Sequence, residues 1–139
     1  MVGLVVATHG RLAEELLQTA QGIVGPLERC QAVSIGSGMS MDDARARLAE
    51  AVRAVDGGEG VLVLTDMFGG TPANLALTFL DEKLEVVTGV NLPMVLKLAT
   101  ARAEHPTLAS IAELVTAYGQ KNITLASELL RSRVRTSRH

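Results

Sequence analysis

The sequence has no tryptophan, one tyrosine and two phenylalanines among its 139 residues. So few rings leave nothing on which to stack bases, which argues against a nucleic-acid partner. Excess charge is missing too: the formal net charge is −2, far from the basic footprint of a nucleic-acid binder. A single cysteine, Cys30, excludes an internal disulfide and a cysteine-held metal, and fits a reducing compartment. No apolar stretch reaches the roughly 18 residues of a membrane span. The chain also enters its first apolar run without a basic lead-in, so no cleaved leader is expected. Together these absences point to a cytoplasmic protein that meets a membrane only through partner subunits. They give no sign of a metal or a cofactor.

What is present is aliphatic. Hydrophobic residues make up 47% of the chain, enough for one domain whose core is built from Leu, Val, Ile and Ala. Strand and helix patterns alternate. A first strand spans roughly Gly3 to Ala7. The helix after it carries Leu12, Leu16, Leu17, Ala20, Ile23 and Val24 at helical spacing and stops at Gly25-Pro26. A short second strand lies near Gln31 to Ile35. Ser40 is then the expected N-cap of a second helix, with Ala44, Leu48, Ala51, Val52 and Val55 on one face.

The third strand, Val61-Leu62-Val63-Leu64, is apolar throughout, as a strand covered on both faces must be. Thr71 and Pro72 mark the start of a third helix that runs to about Leu80. A fourth strand, Leu84 to Thr88, leads to Asn91 and Pro93 and a fourth helix. A fifth helical pattern runs from Leu108 to a stop at Gly119, and Asn122 to Ala126 is a candidate short edge strand. From Arg131 to His139 four arginines and no acid suggest a frayed, solvated, basic tail. Residues 1–130 are thus expected to form one domain and 131–139 a tail. The fold class is α/β: a doubly wound, mostly parallel sheet of order 2-1-3-4 with helices on both faces.

Such sheets bind ligands where the carboxyl ends of their strands part at the switch point, here between strands one and three. Strand one ends at Thr8-His9-Gly10 and strand three at Thr65-Asp66. An imidazole nitrogen attacks best when the other nitrogen holds a proton pinned by a carboxylate. His9 and Asp66 are therefore the candidate catalytic pair. Gly69 and Gly70 let backbone approach a ligand, and Thr71 sits where free helix amides favour an anion, so these three form a candidate phosphoryl seat. A histidine nucleophile, a carboxylate and an anion seat describe phosphoryl transfer. No nucleotide-binding glycine loop is present, so the phosphoryl donor is expected to be another protein. Simpler roles are a turn cap for Asp66, a tight loop for Gly69 to Pro72 and a helix cap for Asn91. Met39, Met41, Met67 and Met94 lie near these loops, as docking surface or as gap filling. His105 is expected on a surface loop and His139 at the chain end.

Three segments, Val5 to Gly10, Thr65 to Asn74 and Gly89 to Met94, together resemble the IIA domain of the mannose-family sugar phosphotransferase system. They match in order and spacing, and the resemblance covers roughly residues 1 to 126. It implies that His9 is phosphorylated by the histidine phosphocarrier protein and passes the group to a IIB component. It also implies that Asp66 and Thr71 serve the site, and that the protein is a homodimer exchanging a short antiparallel edge strand near Asn122 to Ala126. Many members carry an aromatic residue soon after the histidine, where this chain has Arg11 and Leu12, and tryptophan where Phe68 stands. Arg11, Phe68 and Asn91 are accordingly candidates for a docking rim. Some members continue into a IIB domain, and this chain is expected to be the IIA unit alone. The related phosphotransfer subunit of dihydroxyacetone kinase lacks the Asp-x-x-Gly-Gly-Thr-Pro loop.

Two other functions fit the same pattern less fully. A regulatory module would use the fold as a phosphorylation-state sensor without sugar transport. A response-regulator receiver would phosphorylate Asp66, with Thr88 as its hydroxyl partner. Receivers need further acids at the end of strand one to hold magnesium, and Thr8-His9-Gly10 supplies none.

Overall fold

The computed structural model of the chain describes residues 1–137, with side chains through Val134. Strand β1 (Gly3–His9) is followed by helix α1 (Leu12–Val24), then β2 (Cys30–Ile35) and α2 (Met41–Val55). β3 (Val61–Thr65), α3 (Thr71–Leu77), β4 (Leu84–Thr88) and α4 (Leu92–Glu104) continue the alternation. Two helices, α5 (Leu108–Lys121) and α6 (Ala126–Ser137), end it. The four strands pair in parallel in the order β2-β1-β3-β4, the order expected from the sequence.

β1 and β3 lie at the centre, and alternate residues point to opposite layers. Leu4, Val6, Leu62 and Leu64 pack under α1, α4 and α5, against residues such as Leu17, Leu98 and Ile111. Val5, Ala7, Val61 and Val63 pack under α2 and α3, against Leu48, Val55 and Leu75. Each such Leu or Val contributes about 1.5–3 kcal/mol by leaving water. The helices are therefore fixed to the sheet at its middle, and the strand ends between them are left to carry polar residues.

Local signals placed most of these elements. Ser40 caps α2 by accepting the Asp43 amide at 3.0 Å. Other positions differ. Thr71 is not the N-cap of α3 but its first residue: Gly70 takes the cap with extended backbone and no side-chain bond. α3 ends at Leu77, and Thr78 to Leu80 continue in tighter three-residue turns. On α1 the buried residues are Ala13, Leu17 and Ala20, whereas Leu12, Ile23 and Val24 are exposed. A sheet covers only a narrow stripe of a helix, so the flanks of a wide apolar face turn outward. Gly119 does not stop α5, which runs on to Lys121. Its missing side chain makes room for Met94, whose sulfur would lie 2.6 Å from an added Cβ.

The largest departure is at the end of the chain. Residues 122–125 are irregular, and no edge strand forms there in the single chain. The strand expected there is one exchanged between two subunits, and a segment of that length gains little by itself. The tail expected to fray from Arg131 is instead the second half of α6 as far as Ser137, while His139 lies outside the described residues. Ile123, Leu125, Leu129, Leu130 and Val134 are exposed along this segment.

Candidate active site at the sheet switch point

The carboxyl ends of β1 and β3 meet at the switch point because the two strands are neighbours in register, Ala7 opposite Thr65. Two residues past Ala7 stands His9, and one past Thr65 stands Asp66. Although 57 positions apart in sequence, their side chains touch: His9 Nδ1 lies 2.7 Å from Asp66 Oδ2. The same oxygen accepts the His9 backbone amide at 3.2 Å. A carboxylate only accepts, so the neutral ring carries its proton on Nδ1 and keeps its lone pair on Nε2. The His9 side chain is 48% exposed and that of Asp66 15%.

Burial would raise the Asp66 carboxyl, but the ring and amide bonds from His9 outweigh it and hold the group below the ordinary aspartate range. Asp66 is thus an anion at neutral pH, suited to stabilise positive charge on the ring. Its other oxygen, Oδ1, is buried without a hydrogen-bond partner among the described residues.

Two glycines shape the neighbourhood. Gly69, at φ +86°, turns the loop in a conformation that side chains disfavour. Gly70 lies against the imidazole itself: an added Cβ would sit 2.6 Å from His9 Cε1 and 3.3 Å from Nε2. Thr71 lines the same cleft as His9, a hollow of about 380 Å³ lined also by Ser37 and Met39 of the β2–α2 loop and by Met41 at the start of α2. The expected phosphoryl seat, Gly69, Gly70 and Thr71, therefore adjoins the free edge of the ring.

The three rim candidates separate. Phe68 is 77% exposed. The Arg11 side chain is 79% exposed, with only long contacts of 3.6 and 3.8 Å to Glu14 and Glu15. Leu12, Met41 and Met67 add exposed apolar surface. Asn91 is engaged elsewhere. Its Oδ1 accepts the Met94 amide at 3.1 Å and caps α4, and its Nδ2 donates to the Gly119 carbonyl at 3.2 Å. It borders a separate hollow with Thr88, Gly89 and Ile123. Met94 is buried in the core, whereas His105 ends α4 half-buried. Sequence reasoning passed over Ser37, which lines the same hollow as Thr71 from a loop 34 residues earlier and has no local signal. Among the described residues no group of three or more metal-ligating side chains gathers, and no helix is long and apolar enough to cross a membrane.

Residues 3–116 match the family described as "PTS system fructose IIA component". The chain is 30% identical over 124 residues to the "PTS system mannose-specific EIIAB component" of Escherichia coli K12, covering 88% of this chain and 38% of that protein. It therefore spans well under half the length of that relative. It is 29% identical to the "PTS system fructose-specific EIIA component" of Bacillus subtilis, over 94% of this chain and 90% of the other. Among solved structures, the mannose/sorbose-specific IIA subunit of Enterococcus faecalis superposes with a TM-score of 0.80 at 34% identity, covering 88% and 92% of the two chains.

Proposed function

The chain belongs to the PTS fructose IIA component family, the mannose-type IIA proteins, and we propose that it is a phosphocarrier that holds a phosphoryl group on His9. The observation that carries this is the 2.7 Å contact of His9 Nδ1 with Asp66. It leaves Nε2 deprotonated, on a side chain that is 48% exposed. The donor is the phosphorylated histidine phosphocarrier protein. The Nε2 lone pair forms the new N–P bond in line as the donor's N–P bond breaks. The proton on Nδ1 stays in place, and Asp66 stabilises the imidazolium. Gly69, Gly70 and Thr71 would receive the phosphoryl oxygens. A nucleophile of the IIB component then attacks phosphorus and His9 leaves as the neutral ring.

Arg11 and Phe68, with the exposed apolar residues around them, form the rim on which both partners dock. The protein acts in the cytoplasm, and as a homodimer. The open edge of β4, the hollow beside it lined by Ile123, and the uncovered apolar residues of the last segment support that assembly.

The test is labelled phosphoenolpyruvate with the two general phosphotransferase proteins, on wild type, His9→Ala and Asp66→Ala. Base-stable, acid-labile label that disappears in His9→Ala is the expected result. Base-labile label lost only with Asp66→Ala would replace this reading with an aspartyl phosphate.

A further inference from the structure

Thr8 stands between the strand read from the sequence, Gly3 to Ala7, and the histidine. Its side chain is wholly buried, and its hydroxyl makes two bonds that close the turn carrying His9. Oγ1 accepts the Ala13 amide at 2.7 Å and donates to the His9 carbonyl at 3.1 Å. Ala13 is itself buried in the first turn of α1, where amides have no partner inside the helix. The residue at the cap position, Arg11, offers no side-chain acceptor. Thr8 therefore caps α1 from five residues away, and with the same atom reaches the backbone of His9.

Three restraints then set that backbone. The His9 amide is held by Asp66 at 3.2 Å, its carbonyl by Thr8, and the next amide, of Gly10, donates to the Ile35 carbonyl at 3.0 Å. The ring has little freedom to absorb an error, because Gly70 lies against one edge and Asp66 grips the other. A rotation of the His9 peptide would carry Nε2 off the line of attack. We infer that Thr8 is a positioning residue for phosphoryl transfer, acting through its hydroxyl to hold the His9 peptide and the start of α1 in one geometry. The inference rests on the reading of His9 as the phosphoryl acceptor.

The test compares Thr8→Ser, Thr8→Ala and Thr8→Val in the full chain. Ser and Ala differ only by the hydroxyl, and Val keeps the shape of threonine without it. The initial rate of labelling is measured against concentration of the phosphorylated donor protein, well below each variant's melting temperature. Thr8→Ser is expected to label at close to the wild-type rate. Thr8→Ala and Thr8→Val should lose about tenfold to a hundredfold in saturating rate, the scale of a small misplacement of reacting atoms. Their KM for the donor should not change, since a buried residue touches no partner. Nitrogen-15 spectra of the imidazole give a readout independent of transfer: the Nδ1 proton signal of His9 should persist in Thr8→Ser and weaken or shift in Thr8→Ala. Lower melting with an unchanged rate and unchanged His9 signals in Thr8→Ala would reduce Thr8 to a helix cap and overturn the inference. So would a Thr8→Ser variant as slow as Thr8→Ala. Failure of wild type to label on His9 would remove the function instead, and the imidazole spectra would still decide the role of Thr8.

Discussion

A single oxygen of Asp66 holds His9 twice, through the ring Nδ1 at 2.7 Å and through the backbone amide at 3.2 Å. The ring is thereby oriented by the same atom that fixes the peptide behind it. This double grip makes the pair sensitive to both the charge and the geometry of residue 66.

Asp66→Asn should keep the fold and slow phosphoryl transfer by about a hundredfold or more, because an amide neither stabilises the imidazolium nor enforces the tautomer. The pair also predicts an acid dependence. The folded carboxyl lies below its unfolded value, so its stabilisation is complete above about pH 3.9 and is lost as pH falls through the lower folded value. Denaturant midpoints of wild type and Asp66→Asn should differ above that pH and converge in stronger acid. A gap that stays constant down to complete protonation would show that the carboxylate charge contributes nothing.

Gly70→Ala tests the packing of the loop on the ring. The backbone at Gly70 is extended, with φ −81° and ψ 163°, and accepts alanine without strain. The cost is steric, since the new methyl would meet His9 Cε1 at 2.6 Å and Met67 Cγ at 3.2 Å. Transfer should fall about a hundredfold, with thermal unfolding close to wild type. Normal transfer would mean that ring and loop part freely.

Light scattering at micromolar concentration should report a dimer for the wild-type chain. Ile123→Glu with Leu125→Glu, both at exposed positions, should give a monomer whose circular dichroism is unchanged. A monomeric wild type would dispose of the homodimer, though not of the parallel sheet.

Cys30 should be a poor nucleophile. Burial pushes its thiol up to about 11, with the Arg102 guanidinium opposing in part. Against the ordinary value of 9.0, the thiolate fraction near pH 8 falls about a hundredfold, and alkylation by iodoacetamide should slow in proportion. Alkylation as fast as that of free cysteine would indicate that β2 opens readily at its edge.

What the sequence determined alone was whatever depends on neighbours along the chain. Alternating strand and helix patterns and an all-apolar third strand dictated a parallel α/β sheet, and the Ser40 cap was legible for the same reason. His9 and Asp66 could be nominated because each ends a central strand. The bond between them was decided by the sheet, which brings residues 57 apart to 2.7 Å. Tertiary packing also settled which flank of α1 is covered, so that Leu12 and Ile23 face outward. It gave Gly119 its role, because only the approach of Met94 from α4 demands a missing side chain there. Arg102 is the clearest case. Its spacing marks no special role, yet it is buried and donates to the carbonyls of Val2 and Arg29, 100 and 73 residues away. Segment 122–125 is irregular in the single chain for the complementary reason: a strand is a pairing rather than a local preference, and the strand expected there is one exchanged with a second subunit.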